Sequence, residues 1–207
     1  MGNVILYIAA SLDGFIARSG GDIDWLVKYQ GGKEDYGYHD FYANVGASIM
    51  GSKTYEKSLT LNGGIDDKMP TYVVTHRRLS TRGHSHVSLH SGSLSDLLKL
   101  IRGRTDKDIW LVGGGQLAQT FLREGLLDEI ILSTVPVILG EGISLFGVTE
   151  GNRPQSARSP IVQVGHRPDA VRGWPLEAEA LRGHTIVDCD LEDALEKLIQ
   201  TGLAGRI

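Results

Sequence analysis

The sequence predicts an α/β fold, a three-layer sandwich with a mostly parallel central sheet. Two observations carry this. Short apolar runs alternate with helical patterns along the chain, which is the grammar of strands joined by helical crossovers. Twice, moreover, a run ends in glycine and passes directly into a helix, at residues 47–56 and at residues 109–122.

The elements follow in order. Residues 4–10 form an apolar run that reads as a buried central strand; Ser11, Leu12, Asp13 and Gly14 turn the chain, and Phe15, Ile16 and Ala17 resume it. A loop carrying Asp22, Asp24 and Trp25 precedes a helix over about residues 34–44, with Tyr38, Phe41 and Tyr42 on its apolar side. Residues 47–50 are a second strand, and Gly51 to Glu56 open a short helix. A third strand covers 71–75 and a weaker one 87–89. Ser93 caps a helix whose Leu94, Leu97, Leu98 and Ile101 share a face. The run 109–112 leads through Gly113, Gly114 and Gly115 into a helix with Leu117, Phe121 and Leu122, and residues 129–139 form a long β-branched run.

Length and composition bound the function. A chain of 207 residues buries one sizeable core and suits one domain. A net charge of −4 lacks the basic footprint of a nucleic-acid binder. Cys189 is the single cysteine, which excludes an internal disulfide and suits a reducing compartment. No apolar run approaches ~18 residues and the N-terminus enters a strand without a signal-peptide charge pattern, so a soluble, cytoplasmic protein is expected.

The two glycine turns are candidate anion sites. Glycine lets a ligand approach the backbone, and the unpaired N–H groups of a helix's first turn attract negative charge. Gly113, Gly114 and Gly115 lack the third spaced glycine of the dinucleotide fingerprint, and alone they read as a plain tight turn. The second turn changes the balance, because Ser52, Lys53 and Thr54 can all donate to phosphate oxygens. Two such turns at strand ends suggest a ligand with separated phosphates lying across the sheet edge.

Five motifs then occur in a recognisable order: residues 9–14 (AASLDG), 49–56 (IMGSKTYE), 73–76 (VVTH), the glycine turn 113–115, and 127–146 with its LDEI and VPVILGEGISLF segments. Together they resemble the dihydrofolate reductase-like superfamily, closest to the branch containing the reductase domain of riboflavin biosynthesis, over about residues 3–147. The resemblance implies a dihydrofolate reductase-like fold and NADPH bound across the sheet. Ala10 and Ile16 would meet the nicotinamide carboxamide. Gly51, Ser52, Lys53 and Thr54 would hold one side of the cofactor, and Val112, Gly113, Gly114, Gly115, Gln116 and Leu117 the pyrophosphate on the other. Thr75, His76 and Arg77 would stand at the adenosine end. A cis peptide between Gly113 and Gly114 is implied too, and a homodimer is expected because members of this branch commonly pair and the run 130–135 offers more apolar surface than one sheet edge needs.

Hydride chemistry belongs to the cofactor, so the chain need only orient two rings and relay a proton. Asp35 and Asp40 match the proton-donor spacing of folate reductases poorly. The riboflavin branch instead implies Asp13 as the catalytic, substrate-facing residue; the plain alternative is a turn aspartate bonding backbone. Trp25 reads as a substrate-side lid or as a loop anchor. Superfamily members often carry arginine where this chain has Ser52, which leaves Lys53, Arg77 and Arg78 to recognise a 2′-phosphate. His76, His84, His86 and His90 lack close carboxylate or cysteine partners, and no metal is expected.

Residues 1–147 are thus expected to form the reductase-like domain. Residues 148–207 are an atypical C-terminal segment, partly disordered or an edge strand plus helix, with strands possible at 161–164 and 185–188 and a helix at 191–199. The function expected is an NADPH-dependent reductase transferring a hydride to a small pterin-like or aminopyrimidine-like heterocycle. The competing expectation is a nucleotide-binding module without turnover.

Overall fold

The structure is a computed structural model and describes residues 1–27, 37–61, 64–81, 83–147 and the strand backbone of 161–165. Its core is a seven-stranded sheet of β1 (Val4–Ser11), β3 (Val45–Gly51), β4 (Thr71–Val74), β5 (Val87–His90), β6 (Asp108–Gly113), β7 (Glu129–Val135) and β9 (Ile161–Gly165), in the order β5-β4-β3-β6-β1-β7-β9. Every pairing in it is parallel. Two short strands, β2 (Phe15–Ala17) and β8 (Ile143–Ser144), form a separate antiparallel pair. The helices are α1 (Asp24–Val27), α2 (Tyr38–Asn44), α3 (Ser52–Ser58), α4 (Leu94–Arg102) and α5 (Gly115–Arg123).

Strand alternation builds both outer layers. In β1, Val4 and Leu6 join the cluster under α4 and α5, with Ile109 and Leu111 of β6 and Leu97, Leu98, Ile101 and Phe121 of the helices. Their neighbours Ile5, Tyr7 and Trp110 face the other way, against Phe41, Tyr38 and Tyr42 of α2. On that second face Tyr55 of α3 packs with Met50, Val73 and Val87. A sheet covered on both faces needs strands that are apolar throughout, which is why these runs read as continuous rather than alternating. In α4, Ser93 accepts the Asp96 amide at 3.1 Å, the cap the sequence announces.

Some boundaries differ from the sequence reading. Residues 15–17 do not continue β1; Gly14, at φ +81°, turns them out of the sheet to pair with β8. β7 stops at Val135, because Pro136 cannot donate to a ladder and the following residues bond instead to the β1–β2 turn. Its run 130–135 lies between β1 and β9, so it is an interior strand whose apolar content serves the sheet itself. The 161–164 strand is present as β9. The predicted elements at 185–188 and 191–199, and the start of the 34–44 helix, lie outside the described residues. Among the described residues no helix is long and apolar enough to cross a membrane.

Phe121 is fully buried, whereas Leu100 on α4 is 43% exposed. Phe121→Ala should cost about 3–5 kcal/mol in urea unfolding, and Leu100→Ala should stay within about 0.5 kcal/mol. Similar losses for the two would contradict the placement of the core under α5.

Candidate active site

Parallel pairing brings the carboxyl ends of β3, β6 and β1 to one edge. There the connections diverge: β3 leads through α3 toward β4 and β5, and β6 leads through α5 toward β7 on the other side. Tyr55 of α3 and Phe121 of α5 pack on opposite faces of the sheet. Such a divergence leaves a crevice between the two outgoing turns, the place where open α/β sheets bind ligands.

The crevice is glycine-walled. A Cβ on Gly51 would stand 3.9 Å from Gly113 O and Gly114 N, so the two turns are near neighbours. Register supports this closeness: Ile49 pairs with Leu111 and Met50 with Gly113, leaving Val112 as an extra residue that bulges β6 at its end. Gly113 adopts φ +123°, which L side chains rarely take, and the Gly113–Gly114 peptide is cis as the resemblance implies. A Cβ on Gly114 would come 3.2 Å from Thr54 Oγ1 across the crevice. Gly115 is glycine for a different reason: a Cβ there would lie 2.6 Å from Ser144 O, so protein backbone occupies its flank.

Around this cradle the donors fall into place. Gln116 is exposed at the start of α5, and Leu117 and Ala118 amides donate to Gly114 O at 3.0 Å. Ser52 and Thr54 are half-buried, and Lys53 is exposed with no hydrogen-bond or ion-pair partner among the described residues. Beyond β4, Thr75 is buried; its Oγ1 accepts the Arg77 amide at 3.0 Å, and His76 is exposed. Arg77 itself is engaged. Its guanidinium makes two bonds to Glu56 of α3, at 2.9 and 2.8 Å, which hold the Glu56 carboxyl below its ordinary range. This arginine is therefore not a free cation, a pairing that its 21-residue separation from Glu56 concealed in the sequence.

On the opposite side of the cradle stands the β1–β2 turn. Ala10 is buried at the end of β1 and Ile16 half-buried in β2, with Ile16 Cδ1 3.6 Å from the position of a Cβ on Gly115. Ser11 Oγ donates to Asp13 Oδ1 at 2.6 Å and accepts the Phe15 amide at 2.9 Å. Asp13 also accepts the Leu139 and Gly140 amides, at 3.1 and 2.7 Å. The Ser11 hydroxyl first, and then those amides, pull its carboxyl down to about 2. Two chain segments meet on it, its own turn through Ser11 and residues 139–140 through their amides. Sequence reasoning missed Ser11 and residues 139–140, which no local pattern links to Asp13.

Trp25 is 3% exposed, on the loop held by Arg18 Nε to Asp24 Oδ1 at 2.9 Å. Asp40 is exposed on α2, and Asp35 lies outside the described residues. His84 and His86 touch edge to face at 5.7 Å, and among the described residues no three His, Cys, Asp or Glu side chains gather around a metal-sized space.

Comparison with known proteins fits this architecture. Residues 3–166 match the RibD C-terminal domain family. The Bacillus subtilis (strain 168) protein YwjB is 40% identical over 144 residues, covering 69% of this chain and 81% of YwjB. The riboflavin biosynthesis protein RibD of Corynebacterium ammoniagenes is 28% identical over 178 residues, 79% of this chain but 52% of RibD. A solved structure of a riboflavin biosynthesis protein from Shewanella sp. PV-4 superimposes with a TM-score of 0.65 at 29% identity, over 72% of this chain and 86% of its own. With its parallel sheet, its glycine-walled crevice and a family match running from the first strand to the last, the chain belongs to the RibD C-terminal domain family.

Proposed function

We propose that the protein is an NADPH-dependent reductase that transfers a hydride to a small aminopyrimidine-like or pterin-like heterocycle. The family is the reductase domain of riboflavin biosynthesis, and a relative bearing that pathway's name spans most of this chain. The observation that carries the reading is the crevice at the divergence of β3 and β6. Gly114 presents backbone there without a Cβ, opposite the hydroxyl of Thr54.

That donor set suits a dinucleotide phosphate. Gly114, Gly115 and Gln116 would hold the pyrophosphate at the start of α5, with Leu117 beside them, where the helix dipole and the first-turn N–H groups left without a helical partner favour anions. Ser52, Lys53 and Thr54 would hold the other side. Ala10 and Ile16, at the end of β1 and in β2, would meet the nicotinamide end. When bound, the reduced nicotinamide supplies the hydride. The chain contributes orientation.

Selectivity for the 2′-phosphate falls first to Lys53, since Arg77 is clamped by Glu56. Lys53→Ala should weaken NADPH binding and leave NADH nearly unchanged in fluorescence titrations. Glu56→Gln, by releasing the Arg77 guanidinium, should tighten NADPH relative to NADH; an unchanged ratio would remove Arg77 from the adenosine end.

Gly114→Val places a branched side chain in the cradle and should abolish NADPH binding while the fold survives, since the nearest obstacle is the Thr54 side chain. Gly115→Ala should lower stability even without cofactor, because its Cβ meets Ser144 O. A folded Gly114→Val that binds NADPH with unchanged affinity would show that the phosphates lie elsewhere. Reductase activity itself is read by following NADPH oxidation against dihydropterins and aminouracil ribosides. Binding without turnover of any of them would favour the binding-module reading.

Assembly is proposed from the family resemblance alone. A homodimer mass is expected in light scattering at micromolar concentration, and a monomer mass would contradict it.

A further inference from the structure

The segment after β7, residues 136–146, runs as a strap along the β1–β2 turn. At one end Leu12 N donates to Val137 O at 2.9 Å, and at the other Leu145 N donates to Gly14 O at 3.0 Å. Close to the second end, Ile143 and Ser144 pair with β2, and Gly142 approaches so closely that a Cβ would stand 2.2 Å from Ala17 O. The stretch between these anchors has no such pairing, and Ile138 within it is 74% exposed, so burial does not hold it. Asp13 does. Its two oxygens receive the amides of Leu139 and Gly140, and Ser11, 2% exposed, locks the carboxylate from behind at 2.6 Å. Bonds from neutral donors to an ionised acceptor are about twice as strong as neutral ones.

The far end of the strap reaches the glycine turn. Ser144 O and Leu145 O flank Gly115, at 2.6 and 3.6 Å from the position of a Cβ, and Gln119 Nε2 of α5 donates to Leu145 O at 3.2 Å. The strap therefore connects the β1–β2 turn to the first turns of α5, its backbone held by Asp13 at one end and meeting Gly115 and the Gln119 side chain at the other.

We propose that Asp13 is a positioning residue, which acts through the backbone of Leu139 and Gly140 to hold the strap, and through the strap's carbonyls fixes the start of α5 for the cofactor. The second half of this rests on the reading given under Proposed function; the first half does not. An aspartate placed only to touch substrate would leave both the strap and the cofactor affinity indifferent to its removal.

The experiment compares the full chain with Asp13→Ala and the isosteric Asp13→Asn, which keeps one carbonyl acceptor. Without cofactor, amide hydrogen exchange at Leu139 and Gly140 should be at least about tenfold faster in Asp13→Ala, the equivalent of losing a bond to a charged group. Asp13→Asn should fall between the two, and core amides such as Ile49 and Leu111 should keep their rates. NADPH affinity should weaken roughly fivefold in Asp13→Ala, a typical coupling between linked sites, and recover in part in Asp13→Asn. Unchanged exchange at Leu139 and Gly140 overturns the proposal. So does faster exchange there with NADPH affinity left intact. Should Asp13→Ala unfold, Asp13→Asn decides by the same two criteria. If the unsubstituted chain does not bind NADPH, it is the cofactor reading that fails; exchange at Leu117 and Ala118, whose amides donate to Gly114 O, then decides whether the strap positions α5.

Discussion

The parallel ladder of β3, β6 and β1 is the constraint on which the rest of the molecule depends. Parallel strands all end at the same edge, so the turns that follow them must meet there, however far apart they lie in the chain. Gly51, Gly113 and Ser11 close three such strands, and each introduces a different wall of the crevice. Because the sheet is covered on both faces, by α4 and α5 on one side and α2 and α3 on the other, the edge is where ligands can approach the strand ends. The bulge at Val112 sits where it shifts the β6 turn relative to β3.

Glycines at this edge answer to two different demands. Gly113 is required by its own backbone angle, while Gly115 and Gly142 are required by neighbouring carbonyls that leave no room for a Cβ. At Gly114 a Cβ would meet the Thr54 hydroxyl rather than backbone, and at Gly51 it would meet the facing turn at 3.9 Å, an ordinary contact; those two face the crevice. The distinction separates residues that build the wall from residues that leave it open. A row of three glycines thus contains two structural positions and one that is available to a ligand.

Charge at the edge is arranged in local pairs. Asp13 is satisfied by a hydroxyl and two amides, and Arg77 by Glu56, so neither presents a bare charge. The Arg77–Glu56 pair is about half exposed on each side, where an ion pair contributes little stability; its consequence is the neutralisation of a cation beside α3. Lys53, exposed at the start of that helix, is left as the cation nearest the Gly51 turn.

Much of this was legible in the sequence, because it is local. Apolar runs of strand length, the Ser93 cap and glycine at strand ends depend on residues a few positions apart, and they announced β1, β3, β6, α4 and α5 and the two turns that face each other. The ordered motifs carried the superfamily, and with it the cis Gly113–Gly114 peptide. What the sequence left open depends on pairs distant in the chain. Whether residues 15–17 extend β1 or leave it is decided by residues 143–144; whether Arg77 is free is decided by Glu56 on α3; and what the Asp13 carboxylate accepts is decided in part by amides 126 and 127 residues away. Strand and helix identities follow from short-range periodicity, whereas the partner of a charged or turn residue is set by which segments the sheet brings together, and only the tertiary structure holds that information.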